Sequence, residues 1–181
     1  QGVINYSGST MTVQRNIITG SKYHAVRSTG GILTVKDNLL IDNANRGIYL
    51  GNRSCKGQIS NNAIIRNGTG IGGFAQANVN IINNVLSHNS YAGIGARSSC
   101  RLSINNNIIT NNPRGITVFL EEGQTQHNLR IGGNTYCDNE SDMENCASED
   151  NITETGSPFT DPKNGDFSLT AESTASRKRK H

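Results

Sequence analysis

Lys22, His24, Arg46 and Tyr49 are the side chains of this sequence best suited to moving protons around a bound anion. Lys22 or His24 can accept a proton, Tyr49 can relay one, and Arg46 can neutralise a carboxylate beside the reacting carbon. Arg27, Arg97 and Arg114 add guanidinium forks for carboxylates or sulfates, and Phe74 and Phe119 add faces for a sugar ring. The set fits an elimination next to a uronate carboxylate. Hydrolysis of a glycosidic bond needs a pair of carboxyl groups instead, and residues 1–134 contain only Asp37, Asp42, Glu121 and Glu122. His24 and Arg46 are 22 residues apart, and so are Arg27 and Tyr49, so a repeat of that length must bring them together.

The repeat is visible along the chain. VQRNIITGS starts at Val13, VKDNLLIDN at Val35, ISNNAIIRN at Ile59, IINNVLSHN at Ile81, INNNIITNN at Ile104 and IGGNTYCDN at Ile131. The starts are separated by 22, 24, 22, 23 and 27 residues, a period that signals a solenoid. Its apolar positions are mainly Ile and Val in short runs broken by Asn and Gly. That pattern suits one coil of short strands per repeat and leaves no stretch for the helix of a leucine-rich repeat.

Three residues after each start stands Asn16, Asn38, Asn62, Asn84, Asn107 or Asn134. Five residues further come Asn43, Asn67, Asn89, Asn112 and Asn139, with Ser21 in the first copy. Stacked coils place equivalent residues about 4.8 Å apart, so each Asn can hydrogen-bond to the Asn above and below. The same asparagines are expected to adopt the left-handed backbone of a sharp corner. A Gly-Ile pair then opens a further strand at Gly47, Gly70, Gly93 and Gly115, replaced by Ala25-Val26 in the first copy. Alternation along that strand points Val26, Ile48, Ile71, Ile94 and Ile116 inward. Its outward columns are then His24, Arg46, Thr69, Ala92, Arg114; Arg27, Tyr49, Gly72, Gly95, Thr117; and Gly51, Phe74, Arg97, Phe119. Small residues in the middle with cationic and aromatic residues at the sides predict a groove.

The I-x-x-N-x-I/L-x-x-N repeat followed by Gly-Ile resembles, over roughly residues 10–140, the right-handed parallel β-helices of the pectate-lyase-like superfamily. That superfamily includes pectate lyases, polygalacturonases, chondroitinase-B-like and alginate lyases, and mannuronan epimerases. The resemblance implies an all-β, right-handed parallel β-helix of about six coils with an Asn ladder, working on the Gly-Ile face. It implies an acidic polysaccharide as partner, lyase chemistry with Ca²⁺ as a possible cofactor, and secretion or a periplasmic location. Glu121 and Glu122 are the only paired carboxylates in the repeats to hold that cation. The Asp-Asp and Gly-His-Gly phrases of polygalacturonases and the Asp-Pro-His phrase of the epimerases are absent. The alternative is a non-catalytic binding or structural β-helix, a fragment of a larger secreted protein.

Residues 1–146 read as the repeats, with no N-terminal cap before the first. Residues 147–170 read as a closing segment, in which SPFTDPKNGDFSL resembles the phrase that ends many secreted β-helices; Phe159, Phe167 and Leu169 would then cover the last coil. Residues 171–181, ending RKRKH, read as a disordered basic tail. Charge is divided: residues 1–134 hold 12 Lys/Arg against 4 Asp/Glu, and residues 135–170 hold 1 against 9. A basic body favours an anionic polymer. Nucleic acid is not expected, because two or fewer aromatics per coil offer no base-stacking platform, and no apolar run reaches membrane-spanning length. A monomer is expected. Cys55 and Cys100 share a repeat position with Ala77 between them, which separates them by about 9.6 Å and rules out a bridge. Cys137 and Cys146 flank a short loop that a disulfide could close.

Overall fold

The computed structural model describes residues 1–51, 53–125, 127–148, 150–162 and 166–173. The RKRKH run lies outside the described residues. Strands make up the regular structure, and among the described residues there is no α-helix. Each repeat contributes one strand to each of three parallel sheets, as with Lys56–Ser60, Ala63–Ile65 and Thr69–Gly73. Sheet A, the Gly-Ile sheet, has seven strands from Val3–Asn5 to Ser141–Glu144. Sheet B has six, from Thr10–Gln14 to Arg130–Gly132, and sheet C seven, from Ile17–Thr19 to Ile152–Glu154. Within these three sheets every strand pairs with its counterpart one repeat away, which makes a solenoid of about six turns. Among the described residues no helix is long and apolar enough to cross a membrane.

Register follows the repeat. Val13, Val35, Ile59, Ile81, Ile104 and Ile131 lie side by side in sheet B. Ile48, Ile71, Ile94 and Ile116 do so in sheet A, and all four are fully buried. Cys55, Ala77 and Cys100 stack in the core, and both thiols are free. Burial pushes the two thiols above the ordinary cysteine range.

Both Asn columns are continuous ladders. Asn84 Nδ2 donates to Asn107 Oδ1 at 3.0 Å, and Asn62 Nδ2 donates to Asn84 Oδ1 at 2.9 Å. Asn43, Asn67, Asn89, Asn112 and Asn139 repeat the pattern at the next corner. The structure extends the first ladder to Asn151, whose Oδ1 accepts the Asn134 backbone N–H at 3.1 Å. The left-handed residue, however, is not the ladder Asn but the one before it. Asp37, Asn61, Asn83 and Asn106 have φ of 57°, 55°, 57° and 55° at the first corner. Asp42, Arg66, His88 and Asn111 do the same at the second, with φ of 51–56°. The turn rotates its side chain to solvent and leaves the next one facing inward, so corner and ladder take adjacent positions. Asn61 turns the chain and Asn62 bonds it.

Two expectations for the C-terminal part are corrected. Phe159–Asp161 and Asp166–Leu169 form an antiparallel hairpin whose Phe159 and Phe167 rings meet edge-on at 5.3 Å. This hairpin packs on Ile108 and Val85, the outward residues of sheet C, so it covers a flank rather than the last coil. The outward Val85 and Ile108 give the aromatics an apolar surface to bury. Cys137 and Cys146 are both free. Cys137 points out of sheet C, its Sγ 2.6 Å from the Gly156 carbonyl oxygen, while Cys146 packs against the core near Ile116. The coil wall stands between them.

Candidate functional site

The outward columns of sheet A form, but strict alternation does not make the first of them: Gly47 and Ile48 both face inward, as do Gly70 and Ile71, and this break puts Arg46 and Tyr49 on the same outer face. Arg27 pairs with Tyr49, Tyr49 with Gly72, Gly72 with Gly95 and Gly95 with Thr117. Arg46, Thr69 and Ala92 align in the neighbouring column, and Arg97 aligns with Phe119 in the third. Coil spacing turns aromatic residues in adjacent coils into stacks. His24 lies on Tyr49 with centroids 4.8 Å apart and planes 8° from parallel, and Tyr49 lies on Phe74 at 5.3 Å. The Arg46 guanidinium carbon sits 4.9 Å from the Phe74 ring and 5.5 Å from Tyr49. Arg27 approaches Tyr49 at 5.7 Å, and Arg97 approaches Phe74 at 5.9 Å.

The glycines decide how these side chains lie. A Cβ on Gly72 would stand 2.5 Å from Arg46 Cδ, and one on Gly51 would stand 2.1 Å from the Tyr49 ring. Arg46 and Tyr49 therefore lie flat across the sheet where only glycine leaves room. Gly95 and Thr69 line the open part of the face, a groove of about 570 Å³. Arg46 and Phe74 line it from one side, Tyr91 and Phe119 from the other, and Arg97 and Glu121 complete it. Tyr91 and Phe119 stack with centroids 6.2 Å apart.

Electrostatically the groove is a cationic shelf. Arg46 Nη1 donates to Asn45 Oδ1 at 2.9 Å, but Arg46 Nε and Arg27 Nε are buried without a hydrogen-bond partner. Desolvation lowers the Arg46 pKa from its ordinary value. His24 is 9% exposed, and its Nδ1 accepts the Arg46 backbone N–H at 3.4 Å. Burial, then the positive charges of Arg46 and Arg27, pull its pKa down to about 4. The folded chain thus resists protonating His24, while the unfolded chain protonates near pH 6.5. Stability is expected to be unaffected above pH 6.5 and to fall as pH drops from 6.5 to about 4, by up to about 3 kcal/mol from this group. His24→Phe, which keeps the ring stack, should flatten that part of the melting-temperature profile. An unchanged slope would assign the acid sensitivity to other groups.

A description of the right-handed β-helix region matches residues 1–136. The chain belongs to the right-handed β-helix family. No curated protein and no solved structure matches it.

Within this β-helix, the sequence candidates separate into three places. His24, Arg27, Arg46, Tyr49, Phe74 and Arg97 form one continuous cluster on sheet A. Arg114 and Phe119 meet Tyr91 instead, with Arg114 4.8 Å from the Tyr91 ring. Arg114 is also engaged, its Nε 2.9 Å from Glu144 Oε2, which accepts the Thr117 hydroxyl as well. Lys22 belongs to neither group. It is exposed across the second ladder corner, lining a shallow depression with Asp42, Arg66 and His88. Both residues precede strand Val26–Ser28, and the bend at Lys22 and Tyr23 leaves Lys22 exposed while His24 lies on Tyr49.

The residues around Glu121 do not fit a calcium site. Glu121 Oε1 accepts the Ser99 hydroxyl at 3.1 Å, and among the described residues no three His, Cys, Asp or Glu side chains converge. Asn45 and Tyr91 were not anticipated as groove residues. They occupy the corner position just before the outward column, where the repeats carry Tyr23, Asn45, Gly68, Tyr91 and Pro113. Two aromatics in that column, Tyr23 and Tyr91, were the available signal.

Proposed function

We propose that this β-helix binds an acidic polysaccharide, uronate-bearing or sulfated, along the sheet A groove. The observation that carries the reading is the Arg46 guanidinium held over Phe74 and Tyr49, with Arg97 beside it and the Tyr91–Phe119 pair across the groove. Guanidinium forks address carboxylates or sulfates, and the aromatic faces take the apolar side of a sugar ring. Such a polymer lies outside the cytoplasm, so secretion or a periplasmic location accompanies the reading.

A lyase reaction is the second reading, supported by His24. This imidazole is unprotonated at neutral pH and stacks on Tyr49, the pair a β-elimination would use as base and acid. Against it, His24 is nearly enclosed and Lys22 lies around the corner. Binding is the better supported of the two.

Replacing Arg46 and Arg97 together by Gln should weaken binding to alginate or pectate about tenfold per contact, about 1.4 kcal/mol each, with an unchanged melting temperature. Binding should also weaken with added salt, because exposed charges are screened over about 8–10 Å. Growth of ultraviolet absorbance from an unsaturated product would establish the lyase. Wild-type protein that ignores uronate and sulfated glycans at low salt would leave a structural β-helix.

A further inference from the structure

Sheet B carries a second groove, of about 680 Å³, on a face that the sheet A site does not use. Asn78, Asn80, Arg101, Ser103, His127 and Arg130 line it, and no carboxylate does. It arises where the repeat lengthens to 27 residues between Ile104 and Ile131. The longer connection contributes His127 and Asn128 to a sheet face that shorter connections leave open.

Ser103 lies opposite Arg130 in register, so Arg101 and Arg130 are diagonal neighbours on adjacent strands. Their Cα atoms are then about 8 Å apart, from one interstrand step and two residues of rise. Both are exposed, and neither guanidinium is in an ion pair among the described residues. The neutral donors are also oriented. His127 Nδ1 accepts the Leu129 backbone N–H at 3.2 Å, which leaves Nε2 as the ring's donor. Ser103 Oγ accepts from Asn105 Nδ2 at 2.8 Å, so its own proton is free to be given.

Two forks that distance apart, with amide, hydroxyl and imidazole donors between them, surround an anion with several oxygens. A planar carboxylate is satisfied by a single fork. The lining contains no Phe, Tyr or Trp ring, so it offers no broad aromatic face for a sugar or a nucleobase. We propose that this groove is a second glycan site that takes a sulfate ester. It stands independently of the sheet A reading.

The test uses protein carrying Arg46→Gln and Arg97→Gln, which weakens sheet A, with dextran sulfate and carboxymethyl-dextran of equal charge density. Dextran sulfate should still bind. Adding Arg101→Gln and Arg130→Gln should weaken that binding at least tenfold, with no change in melting temperature and little change towards carboxymethyl-dextran. Equal affinity for the two polymers would overturn the proposal, as would equal competition by single-stranded DNA or undiminished binding by the fourfold variant. Undiminished polyuronate binding by the Arg46→Gln, Arg97→Gln protein, with dextran sulfate binding weakened only in the fourfold variant, would refute sheet A alone.

Discussion

Gly57→Ala is expected to cost about 3–5 kcal/mol, a large part of the roughly 5–15 kcal/mol that holds a typical domain. Gly57 sits inside the strand Lys56–Ser60, in the inward column between Leu33 and Val79. Its φ is 141°, a conformation that side-chain-bearing residues avoid, and a Cβ there would stand 1.8 Å from the Leu33 carbonyl oxygen. That oxygen belongs to the next strand's backbone and cannot swing aside as a side chain could. Two costs therefore add, the strained dihedral and the overpacking. Gly123→Ala is the control, since Gly123 also has positive φ, of 77°, but nothing lies within 4 Å of its added Cβ. Urea melts of the two variants check the argument. A shift for Gly57→Ala no larger than that for Gly123→Ala would mean that the strand accommodates the methyl group.

Asn84→Leu should lower stability by about 3–5 kcal/mol, because it orphans several buried groups at about 1–3 kcal/mol each. Asn84 is fully buried. Its Oδ1 accepts both the backbone and side-chain N–H groups of Asn62, and its Nδ2 donates to the carbonyls of Ile59 and Ile82 and to Asn107 Oδ1. Leucine matches the volume and none of these bonds. Asn16→Leu should cost about 1 kcal/mol or less, because Asn16 is exposed and Asn38 Oδ1 keeps the Asn16 backbone N–H. Equal melting shifts would contradict a ladder in which interior members hold two neighbours.

Much of this architecture was legible in the order of residues. A period of 22–24 residues with β-branched, Asn and Gly-Ile columns leads to one coil per repeat, and inward alternation then names the buried isoleucines. Stacking does the rest, since identical columns a strand spacing apart can only meet one another. For the same reason the columns that carry Arg27, Tyr49, Arg46 and Phe74 could be written down before any side chain was placed. The family relationship rests on these columns too, which is why it identifies a fold more readily than a reaction.

What the period could not encode is how far a side chain reaches and what it meets from outside its own column. Gly51 and Gly72 read as open floor, yet the structure covers them with Tyr49 and Arg46 lying flat, and the opening moves to Gly95. Arg114 read as a free cation, yet Glu144, thirty residues later, takes its Nε. Lys22 shared a short stretch with His24, but the corner between sheets sends it elsewhere. The closing hairpin settled on Val85 and Ile108 because those outward residues are apolar, a fact separate from the repeat that placed them. Sequence alone determined the coil, its ladders and the face each residue takes, because these follow from backbone periodicity. Tertiary structure decided which cations remain available and where the face is open, because these depend on contacts between residues that no periodicity relates.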